Sequence, residues 1–320
     1  MARVTAGDAG QARRPVISVG NLAMGGRGKT PTVAWIAQQL VDAGERPAIL
    51  SRGYRRRCPD DGVVIVSDGR HLRADLDRSG DEPLMLARRV REAAVLVCDV
   101  RATAAALAET ALDVTVHLLD DGFQHWSMAR DIDIVLVSAA DLDDRRVPFG
   151  RLRSPVADLA EADAVIIDGA DAEAATARLH AILEGAAPPV FTLRRRLETP
   201  WWIDASTTTR EPTTASRAPV VAVAGIARPE RFALLLEAEG WTVGDLVGFP
   251  DHHDYRPRDL ARIAAVAAGR PVATTEKDAM RLLPHRPLPF EAACVPLGVT
   301  IEPAPAFRAW LFTRLTGVRS

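Results

Sequence analysis

Residues Val16–Thr32 read VISVGNLAMGGRGKTPT. An apolar, β-branched run stops at Gly20, a glycine-rich turn leads to Gly28-Lys29-Thr30, and an amphipathic helix is predicted to begin at Thr30-Pro31. Strand, glycine-rich turn, Lys-Thr and helix is the layout that cradles nucleotide phosphates. Backbone N–H groups of the turn and the positive end of the helix would face the β-phosphate. Lys29 would reach the β/γ oxygens, and the Thr30 hydroxyl would sit on Mg²⁺. The strict pattern asks for glycine where Ala23 stands, but Gly25, Gly26 and Gly28 leave the loop free to take positive φ. An ordinary turn between strand and helix has no need of Gly-Lys-Thr.

Outward from this segment, short apolar runs alternate with helical stretches as far as residue 195. Strands are predicted at Val16–Val19, Ala48–Leu50, Val63–Val66, Ala94–Cys98, Val114–Leu119, Ile132–Val137 and Ala164–Ile167. Helices are predicted at Thr32–Ala43, Pro83–Glu92, Ala102–Ala111 and Ala172–Glu184. Such alternation implies a mostly parallel sheet with helices on both faces. The rhythm breaks over 196–218, rich in Thr, Ser and Pro, and a second α/β block starts at Val220. The expected organisation is a loose polar tail over 1–14, a phosphate-binding domain over 15–195, a linker over 196–218 and a smaller α/β domain over 219–320.

The bulk composition narrows the function classes. At 320 residues and 48% hydrophobic content, the chain can fill two cores. A net charge of -2 leaves no nucleic-acid footprint, although arginines gather at 52–57 and 194–196. Cys58, Cys98 and Cys294 form no CxxC pair and read as reduced cytosolic thiols. No apolar run reaches the roughly 18 residues of a membrane span.

Acidic residues gather at three further places. Val114–Gly122, VTVHLLDDG, delivers Asp120 and Asp121 at the C-terminal end of a buried strand, where α/β sheets place ligands. Neighbours on a strand point to opposite sides, so one is expected to hold Mg²⁺ and the other to orient water or a supporting group. A polar turn would also end in Asp-Gly. Gly80-Asp81-Glu82-Pro83 opens a helix, and capping explains one acid but not two. The second leaves room for a base toward an acceptor hydroxyl and for a further metal ligand. Gly248–Tyr255, GFPDHHDY, packs Asp251, His252, His253 and Asp254 into one loop. It reads as a His-Asp pair tuning a base, a metal site, or solvated histidines.

Together, VGNLAMGGRGKTP, SRGY, GDEP, DDGFQH, RLRSP, AGIARPERF, FPDHHDY and TEKD, in that order from Pro15 to Leu283, resemble the tetraacyldisaccharide 4'-kinase family. The resemblance implies two α/β/α sandwich domains joined by a small β linker, the first P-loop NTPase-like. It implies ATP and Mg²⁺ as cofactors and the 4'-hydroxyl of an acylated glucosamine disaccharide 1-phosphate as acceptor, in lipid A biosynthesis. Lys29 and Thr30 would hold the ATP phosphates and Mg²⁺. Asp81 would be the base, and His252 would pair with it and raise its basicity. Glu82, Asp120 and Asp121 would serve the metal. Asn21, Pro31, Arg52, Tyr54, Gln124, His125 and Arg153 match motif positions near nucleotide or substrate.

Two departures stand out. Family members carry an apolar N-terminal helix that anchors them to the inner membrane, whereas a polar tail precedes Val16 here. Either a peripheral protein at the cytoplasmic face or a misassigned or trimmed chain start is expected; a monomer is expected separately. The family's Leu-Arg-Glu-Pro appears as Leu152-Arg153-Ser154-Pro155, after a segment that looks shortened. Phe307–Leu315, FRAWLFTRL, reads either as a core helix or as an interfacial one, and Trp201-Trp202 could touch headgroups. The rival functions are an NTPase switch or metallochaperone with no lipid acceptor, and a nucleotide-binding scaffold. A guanine switch should carry Asn-Lys-x-Asp, which Thr275-Glu276-Lys277-Asp278 does not fit.

Overall fold

The computed structural model describes residues 12–24, 28–54, 56–58, 62–123, 128–169, 171–203 and 219–319. Its contacts divide the chain into two compact units, one running to Arg194 and resuming at Val299, the other spanning Arg195–Gly298.

Unit one is built from β1 (Val16–Asn21), α1 (Lys29–Asp42), β2 (Pro47–Ser51), β3 (Val64–Asp68), α2 (Leu76–Ser79), α3 (Asp81–Arg89), β4 (Ala94–Val97), α4 (Arg101–Ala111), β5 (Val116–Asp120), β6 (Ile132–Ser138), β7 (Ala164–Asp168), α5 (Ala172–Ile182) and most of β8 (Val190–Leu197). Unit two contains β9 (Trp201–Trp202), β10 (Val220–Ala224), α6 (Pro229–Ala238), β11 (Val243–Gly248), α7 (Pro257–Ala267), β12 (Val272–Thr274), α8 (Glu276–Leu282) and β13 (Ala292–Cys294). The chain then passes through β14 (Leu297–Glu302) and ends in α9 (Ala304–Arg319).

The larger sheet has the order β14-β8-β7-β6-β1-β5-β2-β4-β3. β1 lies between β5 and β6 and is parallel to both, and β3 runs antiparallel to β4. Every residue of β1, β2, β4 and β5 is buried, and apart from Ser18, Asn21, Ser51, His117 and Asp120 the pattern is the near-continuous apolar one of strands covered on both faces. Alternate residues feed different layers. Ala48, Leu50, Ala94 and Leu96 pack with Ala104, Ala105 and Ala108 of α4. Val135, Val137, Val165 and Ile167 pack with Ala175 and Leu179 of α5. The predicted α/β architecture with a mostly parallel sheet is the one observed.

The last residues depart from the expected organisation, in which 219–320 formed one domain. From Val299 onward the chain groups with unit one, because β14 pairs with β8 at the sheet edge. α9 buries Phe307, Leu311 and Leu315, and Phe307 packs its ring 5.6 Å from Trp35 and 5.0 Å from Phe191. FRAWLFTRL is thus a core helix. Among the described residues, no helix is long and apolar enough to cross a membrane.

Unit two holds a second sheet, β11-β10-β12-β13-β9, parallel except for β9. Its core joins Val220, Ala222 and Ala224 to Phe232 and Leu236 of α6. The Trp201-Trp202 pair is half-buried in β9 and paired to Ala293 and Cys294.

Candidate functional site

β1 delivers its C-terminal end to the middle of the larger sheet, and α1 starts at Lys29, one residue before the expected Thr30. Gly28 precedes it at φ 79°, a left-handed conformation that costs glycine nothing. Pro31 falls in the first turn, where the missing N–H breaks no helical bond. Thr30 is buried, and the Thr32 hydroxyl donates to the Gly28 carbonyl at 2.8 Å. Gly25 and Gly26 lie outside the described residues.

The Lys29 ammonium donates to Asn21 Oδ1 at 2.9 Å and stands 3.1 Å from Asp121 Oδ1. Asp121 also meets the Arg153 guanidinium, 3.6 Å from its other oxygen. Asn21, Lys29, Asp121 and Arg153, spread over 133 positions of sequence, thus converge on one corner. Asp121 leaves β5 at φ 61°, an uncommon conformation that reorients its side chain away from that of Asp120. Asp120 stays buried at the strand end, in register with Val19. The two adjacent acids therefore occupy different surroundings, through the turn at Asp121 rather than through strand alternation. Gln124 and His125 lie outside the described residues.

Arg101 and Arg130 support this corner, and the sequence reading missed both. Burial lowers the Arg101 pKa, the neighbouring Arg52 lowers it further, and Asp120, Asp121 and Asp99 oppose the shift. A buried arginine in the first turn of α4 runs against the helix dipole, and its burial has no local signal in the sequence. Arg130 donates to the carbonyls of Gly122 and Phe123 at 3.0 and 3.2 Å, fixing the turn after Asp121 from behind.

Asp81 opens α3 and is 3% exposed; Glu82 beside it is half-buried. The Ser51–Tyr54 loop packs against this helix start. At Gly53 a Cβ would fall 2.2 Å from Val97 Cγ1 and 3.1 Å from the Ser79 carbonyl oxygen. Arg52 and Tyr54 thereby sit on an exposed loop following β2.

An open cavity of about 430 Å³ adjoins the corner, lined by Arg145, Arg146, Val147, Phe149, Leu152 and Arg153. Its loop is tied to the start of the phosphate turn. Met24 N–H donates to the Arg151 carbonyl at 2.8 Å, and Arg153 N–H to the Leu22 carbonyl at 2.7 Å. Phe149, at 84% exposed, stands out of it.

The donor set fits a phosphate-bound divalent ion. Thr30, Glu82, Asp120 and Asp121 offer hard oxygens. Among the described residues, no three His, Cys, Asp or Glu side chains form a cage. A Mg²⁺ here would draw remaining ligands from phosphate and water, as that ion ordinarily does.

In unit two, His252 adopts φ 59° and donates its N–H to the Gly225 carbonyl at 3.1 Å. Its Nδ1 lies 2.8 Å from the Arg281 guanidinium and its Nε2 3.8 Å from Asp251. His253 has a structural role: it stacks on Phe249 with ring centroids 4.5 Å apart and meets Asp259 at 3.1 Å. Asp81 belongs to unit one and His252 to unit two.

The family model described as "Tetraacyldisaccharide-1-P 4'-kinase" matches residues 2–316. A tetraacyldisaccharide 4'-kinase of Chlorobium chlorochromatii is 40% identical over 277 residues, 84% of this chain and 74% of that protein. One from an Anaeromyxobacter species is 41% identical over 280 residues, 85% of this chain and 74% of that protein. Among solved structures, LpxK from Aquifex aeolicus, crystallised in complex with ATP, superposes with a TM-score of 0.76 at 28% identity. It covers 96% of this chain and 90% of its own. The ordered motifs, the parallel sheet with its Lys29 corner and these matches agree: the chain belongs to the tetraacyldisaccharide 4'-kinase (LpxK) family.

Proposed function

We propose that this chain moves the γ-phosphoryl group of ATP to the 4'-hydroxyl of an acylated glucosamine disaccharide 1-phosphate, a step of lipid A biosynthesis. The observation that carries the reading is the Lys29 corner. A cation leaves the first residue of α1 and is held between Asn21 and Asp121, where it can pass to incoming phosphate oxygens.

Phosphoryl transfer asks a protein mainly for positioning and charge neutralisation. Gly28, Lys29, Thr30 and Pro31 form the nucleotide seat, with Asn21 orienting Lys29. Asp81 accepts the proton of the 4'-hydroxyl as that oxygen bonds to the γ-phosphorus and the bond to the β-phosphate oxygen breaks, releasing ADP. Burial of Asp81 at a helix start keeps bulk water from its carboxylate. Thr30, Glu82, Asp120 and Asp121 would hold Mg²⁺, which would supply charge neutralisation to the transferring group. Arg52, Tyr54 and Arg153 face the acceptor. We assign His252 of unit two a supporting part in the same transfer.

The acceptor is an anionic amphiphile, and the Arg145–Arg153 cavity has matching chemistry: arginines beside Val147, Phe149 and Leu152. Met24, Val147 and Phe149 are exposed apolar residues around that cavity. They support peripheral contact of the chain with the cytoplasmic face of the inner membrane, apolar tips in the acyl boundary and arginines at anionic headgroups.

The test is transfer of labelled γ-phosphate from ATP to a detergent-solubilised acylated disaccharide 1-phosphate. Mg²⁺-dependent label at the 4' position is expected. Free labelled phosphate with unlabelled lipid would overturn the reading in favour of an acceptor-free NTPase.

A further inference from the structure

The TEKD segment has no task in the proposed transfer, yet it carries the most enclosed carboxylate of unit two. Asp278 is fully buried on α8. It accepts from Gly225 N–H at 3.0 Å, from the Tyr255 hydroxyl at 2.9 Å and from the Thr275 hydroxyl at 2.6 Å. These donors come from AGIARPERF, FPDHHDY and TEKD, so one buried acid ties three motifs together. Burial pushes the Asp278 carboxyl up, and its donors and nearby Arg281 pull it back.

One turn along α8, Arg281 is buried too, at 8% exposed. Its guanidinium donates to the His253 carbonyl at 3.1 Å and reaches His252 Nδ1 at 2.8 Å. Guanidinium nitrogens carry only donors and stay charged. Nδ1 must therefore supply the lone pair, and the ring hydrogen of neutral His252 must sit on Nε2. The backbone fixes the same ring from below through the Gly225 contact, at a φ that a non-glycine residue seldom takes. Around the imidazole stand Arg281 from α8 and Asp251 from its own loop, with Asp259 of α7 held by His253.

We infer that Arg281 is a positioning residue: it occupies Nδ1 of His252 and holds the imidazole as an Nε2–H hydrogen-bond donor. The inference rests on the reading of His252 as part of the transfer site and changes its part in it. A donor stabilises a carboxylate or phosphate oxygen and orients it; hydrogen bonding to the charged form of an acid lowers its pKa. An Nε2–H donor of this kind aligns an oxygen and steadies its charge rather than taking up a proton.

The experiment is a ring-nitrogen NMR spectrum of the full chain labelled with ¹⁵N-histidine, with His252 assigned by the signal that His252→Gln removes. Wild type is expected to show Nδ1 as acceptor and hydrogen on Nε2. Arg281→Met is expected to shift His252 toward the other tautomer or a mixture. It should lower kcat about tenfold, less than the 10²–10⁴ that an acid–base group itself supplies, with KM for ATP within about twofold. Arg281→Lys, which keeps a cationic donor and guards against a misfolded Met variant, is expected to retain the Nε2–H form and recover part of the rate. A wild-type His252 with its hydrogen on Nδ1 overturns the inference, as does an unchanged tautomer in a folded Arg281→Met chain. Failure of wild type to phosphorylate the lipid defeats the kinase reading, while the spectrum still decides the role of Arg281.

Discussion

The Lys29 corner of unit one and the His252 corner of unit two both hang on a non-glycine residue in left-handed backbone, Asp121 at φ 61° and His252 at φ 59°. They are held by different physics. Around Asp121 the partners are full charges near solvent: Lys29 at 3.1 Å and Arg153 at 3.6 Å, with the Asp121 side chain 41% exposed. Such pairs are screened, add little to stability and exchange readily for another anion. Around His252 the supports are hydrogen bonds, part-buried through Arg281 and buried where Asp278 holds Gly225. Buried donors and acceptors are costly to orphan and set one geometry. The first corner is made to trade partners, the second to stay as it is.

Substitutions can break that contrast. The largest effect is expected for Asp81→Ala, a fall in transfer of roughly 10²–10⁴, the range of a positioned proton acceptor, with ATP affinity in calorimetry nearly unchanged. Lys29→Ala should lower transfer by about 10²–10³ through lost charge stabilisation yet move unfolding free energy by under about 1 kcal/mol, since its ion pair is partly exposed. Asp278→Ala should do the reverse to stability. Orphaning Gly225 N–H and the Tyr255 hydroxyl should cost about 2–4 kcal/mol in urea unfolding. A Lys29→Ala chain that unfolds as easily as Asp278→Ala would erase the distinction.

The smallest effect sharpens it through pH. Burial pushes the Asp259 carboxyl up, but Arg256 N–H, His253 and Arg258 outweigh it, so its pKa is lowered in the folded chain. A depressed carboxylate stabilises the fold above its unfolded pKa, near 3.9, and that stability is lost as pH falls through the lower folded value. Acid unfolding of Asp259→Asn should therefore be shallower than wild type below about pH 4, with the two curves parallel above it.

Much of this was legible from residues alone. β1, β2, β5 and β6 are mostly apolar runs, broken inside only by Ser18, His117 and Asp133, and such runs between helical stretches leave few other readings. Lys29 and Asp121 stand out by local pattern and Asn21 only through the family resemblance, and the three converge. What stayed hidden depends on return of the chain. The β14–β8 pairing that draws α9 into unit one has no local signature. Arg101 and Arg281 look like surface arginines until burial is known. The structure makes Thr275 and Asp278 a helix cap, and the bonds of Asp278 to Gly225 and Tyr255 span 53 and 23 residues.

The central claim is that an exchangeable charged corner and a fixed hydrogen-bonded one serve a single phosphoryl transfer. Its most direct test is the single-turnover rate of γ-phosphate transfer to the acylated disaccharide, at saturating ATP, in wild type and His252→Ala. The account predicts a clear fall, smaller than that of Asp81→Ala, with ATP affinity unchanged. A His252→Ala chain that transfers phosphate at the wild-type rate would contradict it.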